Sequence, residues 1–223
     1  MNTREYVSLF RMWLVAAGIV CIVMMAAIGS PNPAVTERTR SVGSLVDRLN
    51  ERASWLLNAT REMVDDYERE ALPIERLLRR YSDDSLYVRR ITVSIVRHAR
   101  VNQLDPALLA GVLLVENPWL KPDTTSFVGA VGLMQVMPMH AGQWGCESHD
   151  LTDVDANICH GARILAWNLA RSRGDVNAAL LRYNGCVRGD NTPDCSKYPQ
   201  AVKRHAYRVR ATAESGFRKT TEE

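Results

Sequence analysis

The feature that most restricts this chain stands near its start. Met12 to Ile28 reads MWLVAAGIVCIVMMAAI, 17 residues without a charge. At about 1.5 Å per residue such a run just spans a hydrocarbon core, helped by Gly29 and its neighbours. Arg4 and Arg11 precede it. Its length favours an uncleaved anchor, because the apolar region of a secretory signal is usually shorter, roughly 7–15 residues. Ala27 and Gly29 would nevertheless serve as the small residues before a cleavage point, so a cleaved signal is the alternative. Under either reading the rest of the chain leaves the cytoplasm. The arginines do not fix the orientation, since Arg38, Arg40 and Arg48 follow the segment.

The cysteines agree with export. Cys21 lies inside the apolar run, and Cys146, Cys159, Cys186 and Cys195 all follow in the C-terminal half. An even number beyond an export segment points to two disulfides in an oxidising compartment. Three pairings are possible; Cys146–Cys159 and Cys186–Cys195 are expected, because each closes a short local loop. Four free core thiols are the alternative. Zinc is not expected, for no C-x-x-C is present and His160 stands alone beside its cysteine. Neither a metal nor an organic cofactor is implied.

Composition narrows the class further. In 223 residues, 46% are hydrophobic and 24% charged, which excludes a wholly disordered, collagen-like or polytopic membrane chain. The formal net charge of +3 is too small for a nucleic-acid binder but suits approach to an anionic surface or polymer.

Ser30-Pro-Asn-Pro33 is a stiff polar exit from the apolar run. From Val42 the spacing alternates four and three through Val46, Leu49, Ala53, Leu56, Thr60, Met63 and Tyr67. This is the coiled-coil rhythm, broken only by Thr60. It predicts either a self-associating stalk over 42–67 or an amphipathic helix lying on the downstream domain. Pro73 is expected to end that helix. The domains are therefore read as anchor or signal over 1–29, linker and stalk over 30–81, a folded domain over 82–212 and a frayed polar tail over 213–223.

The 82–212 unit is expected to be mainly α, since few of its segments alternate with period two. Leu86 to Val101 reads as a helix, with Ile91, Ile95 and Val96 inward and Arg89, Arg90, Arg97 and Arg100 on a solvated basic face. Asp105-Pro106 starts the next helix, Asp as cap and Pro in the first turn. It reads ALLAGVLLVE and is soon stopped by Pro118. Glu116 falls four residues beyond Val112, on the apolar side and at the negative end of the helix dipole. Both surroundings favour its protonated form, which a general acid requires near neutral pH. An exposed glutamate at a frayed helix end is the alternative. Gly129-Ala-Val-Gly-Leu-Met-Gln-Val-Met-Pro138 then offers small residues for close backbone approach and the Gln135 amide.

Four motifs in order make this chain resemble the soluble lytic transglycosylase family. They are Glu116-Asn117 at the end of an apolar helix, Gly132-Leu133-Met134-Gln135 with Met137-Pro138, Asn157-Ile-Cys-His-Gly161, and Tyr183-Asn184. The likeness runs from about 84 to 207. It departs at Asn117, where Ser is usual, in the segment between Glu116 and Gly132, and at Arg182 and Cys186, where small residues are usual.

The resemblance implies a lysozyme-like fold and a peptidoglycan glycan-strand substrate. It implies that Glu116 protonates the oxygen between N-acetylmuramic acid and N-acetylglucosamine. Glu116 would then take the proton of the muramic C6 hydroxyl as it closes on C1. One carboxylate then suffices, where most glycosidases need two. Tyr183 would orient Glu116 or the substrate acetamido group. Asn117, Ser126, Gln135 and Asn184 would be sugar contacts, and Met134 would shape the groove floor. Asn157 and Gly161 would be structural. Trp119 and Trp144 are candidates for stacking on sugars, whereas Trp167 is expected in the core. Two rivals stay open. A goose-type lysozyme-like hydrolase would need a second polar group such as Asp123, Asp153 or Asp155. A non-catalytic wall-binding scaffold would need no acid at all. A bacterial envelope location follows from the resemblance.

Overall fold

The computed structural model describes residues 33–186 and 195–221, with side chains over 42–186 and 195–213. The apolar run Met12–Ile28 and Cys21 lie outside the described residues. Among those described, no helix is long and apolar enough to cross a membrane. The chain divides into two compact units, 1–61 and 62–223.

The first unit shows one element, the start of helix α1 (Pro33–Asp66). Its regularly spaced apolar residues are uncovered: Val42, Val46, Leu49, Leu56 and Met63 are all exposed. Thr60 uses its hydroxyl on its own helix, donating to the Leu56 carbonyl at 2.8 Å.

The second unit is helical. After the end of α1 comes one π-helical turn (Tyr67–Ala71), then α2 (Leu72–Leu78), α3 (Ser85–Val101), α4 (Pro106–Glu116), α5 (Val154–Arg171), α6 (Val176–Tyr183) and α7 (Tyr198–Thr221). The only β pairing among the described residues is isolated and antiparallel, Thr125 with Val131 and Val131 with Val136. Four helices start on an aspartate for one physical reason. Asp84, Asp105, Asp153 and Asp175 each accept from backbone N–H groups that the first turn leaves without partners.

α4 is the centre. Ala107 to Leu114 are all buried, so this helix is covered on every side. α7 lies along it, α3 and α5 pack together, and α6 bridges α5 and α7. Gly111 sets the α4–α7 separation, since a Cβ there would stand 2.5 Å from the Val202 carbonyl oxygen. Ile91, Ile95, Leu109, Leu113, Leu133, Leu165 and Leu180 are fully enclosed, each contributing roughly 1.5–3 kcal/mol by burial.

The structure departs from the sequence reading in four places. Pro73 does not stop a helix; it sits in the first turn of α2, where no intrahelical N–H is needed. The compact unit begins at Glu62 rather than near Ser82, because α2 packs on α7 and buries Ile74, Leu77 and Leu78. The arginines of α3 are not a free basic face. Arg90 pairs with Asp153 at 2.5 Å, Arg97 with Asp155, Arg100 with Asp66 and Glu70 at 3.0 and 2.9 Å, and Arg89 with Glu75 at 3.7 Å. These pairs tie α3 to the elements on either side. At the C-terminus, the backbone expected to fray stays helical to Thr221.

Candidate active site

Glu116 is the last residue of α4, as the apolar helix and Pro118 predicted. It keeps partial solvent access while protein surrounds it. Burial pushes its pKa up to about 7 from an ordinary 4.5, against the opposing pull of one hydrogen bond. That bond comes from Tyr198, whose hydroxyl donates to Glu116 Oε1 at 2.5 Å. Tyr198 opens α7 and is itself buried. Burial, with the Glu116 charge beside it, holds the Tyr198 hydroxyl well above the usual tyrosine range. It therefore stays a proton donor to Glu116 at every pH of interest.

The sequence reading gave this role to Tyr183. The structure places Tyr183 near enough to feel the Glu116 charge, with burial the larger cause of its raised pKa. Its hydroxyl, however, donates to the Met134 carbonyl at 2.9 Å. Tyr198 was missed although a signal existed. Tyr198, Val202, Ala206 and Val209 form one apolar stripe, and a tyrosine leading such a stripe carries its hydroxyl inward, where it must find a partner.

The segment 124–136, called the floor below, is bonded to Asn157 of α5. Its turn at Gly132 requires glycine: φ is +81°, and a Cβ would stand 2.3 Å from Asn157 Nδ2. Asn157 holds the floor to α5, donating to the Val131 and Leu151 carbonyls at 2.9 and 2.8 Å and accepting from Met134 N at 2.7 Å. Gly161 is a close packing point, where a Cβ would meet Met134 Cβ at 2.6 Å. Met134 is fully buried. Gln135 has a left-handed backbone (φ 48°) and turns its amide back, Nε2 donating to the Gly132 and Thr124 carbonyls at 2.9 and 3.3 Å.

Other expected contacts are placed as follows. Asn117 is fully buried. Its Nδ2 donates to the Lys121 and Gly132 carbonyls at 2.6 and 3.2 Å, and its Oδ1 accepts from Lys121 N at 3.2 Å. It therefore ties the end of α4 to the floor and presents no surface to a sugar. Ser126 closes the hairpin tip, its Oγ accepting from Ala130 N at 3.0 Å. Asn184 caps α6, donating its N–H to the Leu180 carbonyl at 3.1 Å. Trp119 is exposed. Trp167 is not in the core; it is 46% exposed, edge-on to Trp144 at 5.6 Å, with the Arg171 guanidinium over its ring at 4.7 Å.

Both expected disulfides are present, Cys146–Cys159 and Cys186–Cys195. The first ties the loop after the floor to α5. The second joins the end of α6 to the turn that enters α7.

Of the carboxylates that a water-activating partner would need, two are committed elsewhere. Asp153 caps α5 and pairs with Arg90. Asp155 accepts from Ser94 Oγ at 2.7 Å and meets His98 Nε2 at 3.1 Å. Those partners hold its carboxyl below the usual range although burial works the other way. Asp123 is exposed in the loop after α4. Among the described residues, Glu116 is an enclosed acid held by the Tyr198 hydroxyl at the end of a buried helix.

Residues 94–203, just under half of the chain, match the family described as Transglycosylase SLT domain, and over this stretch the chain is similar to that family. It is also similar to a protein named Transglycosylase from Enterobacteria phage PRD1, 45% identical over 103 residues. That match covers 46% of this chain and 37% of the relative, so the chain spans well under half of the protein it matches.

Proposed function

We propose that this chain is a lytic transglycosylase acting on peptidoglycan glycan strands. The observation that carries the reading is the state of Glu116: a carboxyl whose burial raises its pKa to about 7 and whose side-chain partner among the described residues is Tyr198. Such a group is about half protonated at neutral pH, so it serves as acid and as base in one turnover.

Glu116 first protonates the glycosidic oxygen between N-acetylmuramic acid and N-acetylglucosamine. Positive charge develops at C1 of the muramic residue as the C–O bond breaks. The substrate's own acetamido oxygen stabilises that charge. The muramic C6 hydroxyl then attacks C1, and the Glu116 carboxylate accepts its proton. The 1,6-anhydro ring closes, and Glu116 returns to its starting form. Water is not consumed, so no second carboxylate is required. Tyr198 holds Oε1 through both steps. Gln135 through its Oε1, Ser126, Asn184 and Trp119 are the proposed sugar contacts, while Asn157, Gly161 and Asn117 keep the floor in place. The uncovered apolar seam of α1 and the run Met12–Ile28 fit a membrane-attached, self-associating enzyme of the bacterial envelope.

The test is digestion of purified peptidoglycan with the full chain in mild detergent, followed by mass analysis of the released muropeptides. Products one water lighter than hydrolytic ones, made by the parent and absent with Glu116→Gln, are expected. Reducing ends would instead establish a hydrolase. Binding to sacculi without any release would establish a scaffold.

A further inference from the structure

Glu116 and the two tyrosines around it come from three helices, and a covalent link lies beside both tyrosines. Cys186 stands three positions after Tyr183, and Cys195 three positions before Tyr198. The Cys186–Cys195 bridge therefore joins the ends of α6 and α7 from which these two rings reach the site. Both sulfur-bearing residues are buried, and Cys186 is pinned further by its N–H donating to the Leu181 carbonyl at 2.8 Å.

Tyr198 needs such support. It is the first residue of α7, and helix ends are where backbone order is weakest. Beyond Pro199, which is buried beside it, the next buried residue of α7 is Val202, a turn further on. Among the described residues, the short 3-10 turn Cys195–Lys197 directly precedes Tyr198.

We propose that the Cys186–Cys195 disulfide is a positioning element of this site, holding the Tyr198 ring and hydroxyl against Glu116 so that the acid stays enclosed and oriented. This rests on the reading of Glu116 as the acid–base, but its main readout does not need turnover. Two effects of Tyr198 on Glu116 are separable. The ring excludes water, which raises the Glu116 pKa; the hydroxyl bonds the charged form, which lowers it. The groups facing Glu116 from the packed elements are Tyr183 of α6 and Tyr198 of α7.

The experiment follows the Glu116 carboxyl by carbon-13 NMR titration in the full chain. It compares the parent, Tyr198→Phe, and the double variant Cys186→Ala/Cys195→Ala. Tyr198→Phe keeps the ring, so the titration moves above about 7. Opening the bridge lets the ring leave and water enter, so the titration moves the other way, toward 4.5. In turnover, kcat falls by about tenfold or more with little change in KM, a size fitting a misplaced general acid. Added to Tyr198→Phe, loss of the bridge costs less than it does alone.

If the double variant does not fold, two glycines inserted between Lys197 and Tyr198 keep the bridge and cut its link to the ring; the same downward move is expected. An unchanged Glu116 titration in either variant overturns the proposal, as do strictly multiplicative losses. A parent that titrates as expected yet makes no anhydro product overturns the transglycosylase reading and leaves the positioning role standing.

Discussion

A carboxyl that titrates near 7 inside the fold and near 4.5 outside it works against folding once it is charged. Because the folded value is the higher one, the penalty is absent below 4.5. It grows as pH rises from 4.5 through 7, and above that it is constant. At about 1.36 kcal/mol per unit the full effect is about 3 kcal/mol. Glu116→Gln removes the charge and keeps the shape. The variant should therefore gain stability over the parent between pH 4 and pH 8 by roughly that amount, read from urea midpoints at the two values. An equal difference at both values would mean that Glu116 titrates as an ordinary surface carboxyl. The same shift governs activity. The protonated acid is lost above about 7, so kcat/KM should fall tenfold per unit on the alkaline side.

Among elements, the α4–α7 contact decides most. Alanine is the better helix former by about 1 kcal/mol, so propensity alone would make Gly111→Ala stabilising. The structure reverses the sign, because the new Cβ would lie 2.5 Å from a backbone oxygen of α7. A net loss of about 1–3 kcal/mol is expected, measured by urea denaturation. Since Tyr198 rides on α7, Gly111→Ala should also lower kcat more than its loss of stability explains.

What the sequence disclosed at this scale divides by distance along the chain. Asp105-Pro106 and Pro118 bound α4 from neighbouring residues alone, and they placed Glu116 at its end. The turn at Gly132 and the two cystines, separated by 13 and 9 residues, were equally local. The Tyr198–Glu116 bond spans 82 positions, and the Arg90–Asp153 pair spans 63. Such contacts depend on how helices pack, which spacing within one helix does not encode. Asn117 has the chemistry of a sugar ligand, but it is fully buried and local backbone groups take its side chain.

At the scale of the molecule, the domain reaches further toward the N-terminus than its motifs do. α2 carries no chemistry, yet Ile74 and Leu78 are fully enclosed and Leu77 nearly so. Each contributes about 1.5–3 kcal/mol by burial. A fragment of residues 82–223 should therefore be less stable than one of 62–223 by about 5 kcal/mol or more, a large share of a domain's total. Comparing urea midpoints and anhydro-product formation of the two fragments checks this. Equal stability would show that α2 is dispensable.

The proposed acid and its tyrosine partner stand on α4 and α7, the pair of helices that also carries much of the interior. Many enzymes place their working residues on loose loops and lose activity when stiffened. Here the arrangement points the other way. Selection for survival at high temperature would tighten the same contact that brings phenol to carboxyl, so heat-hardened descendants of this chain should keep their turnover.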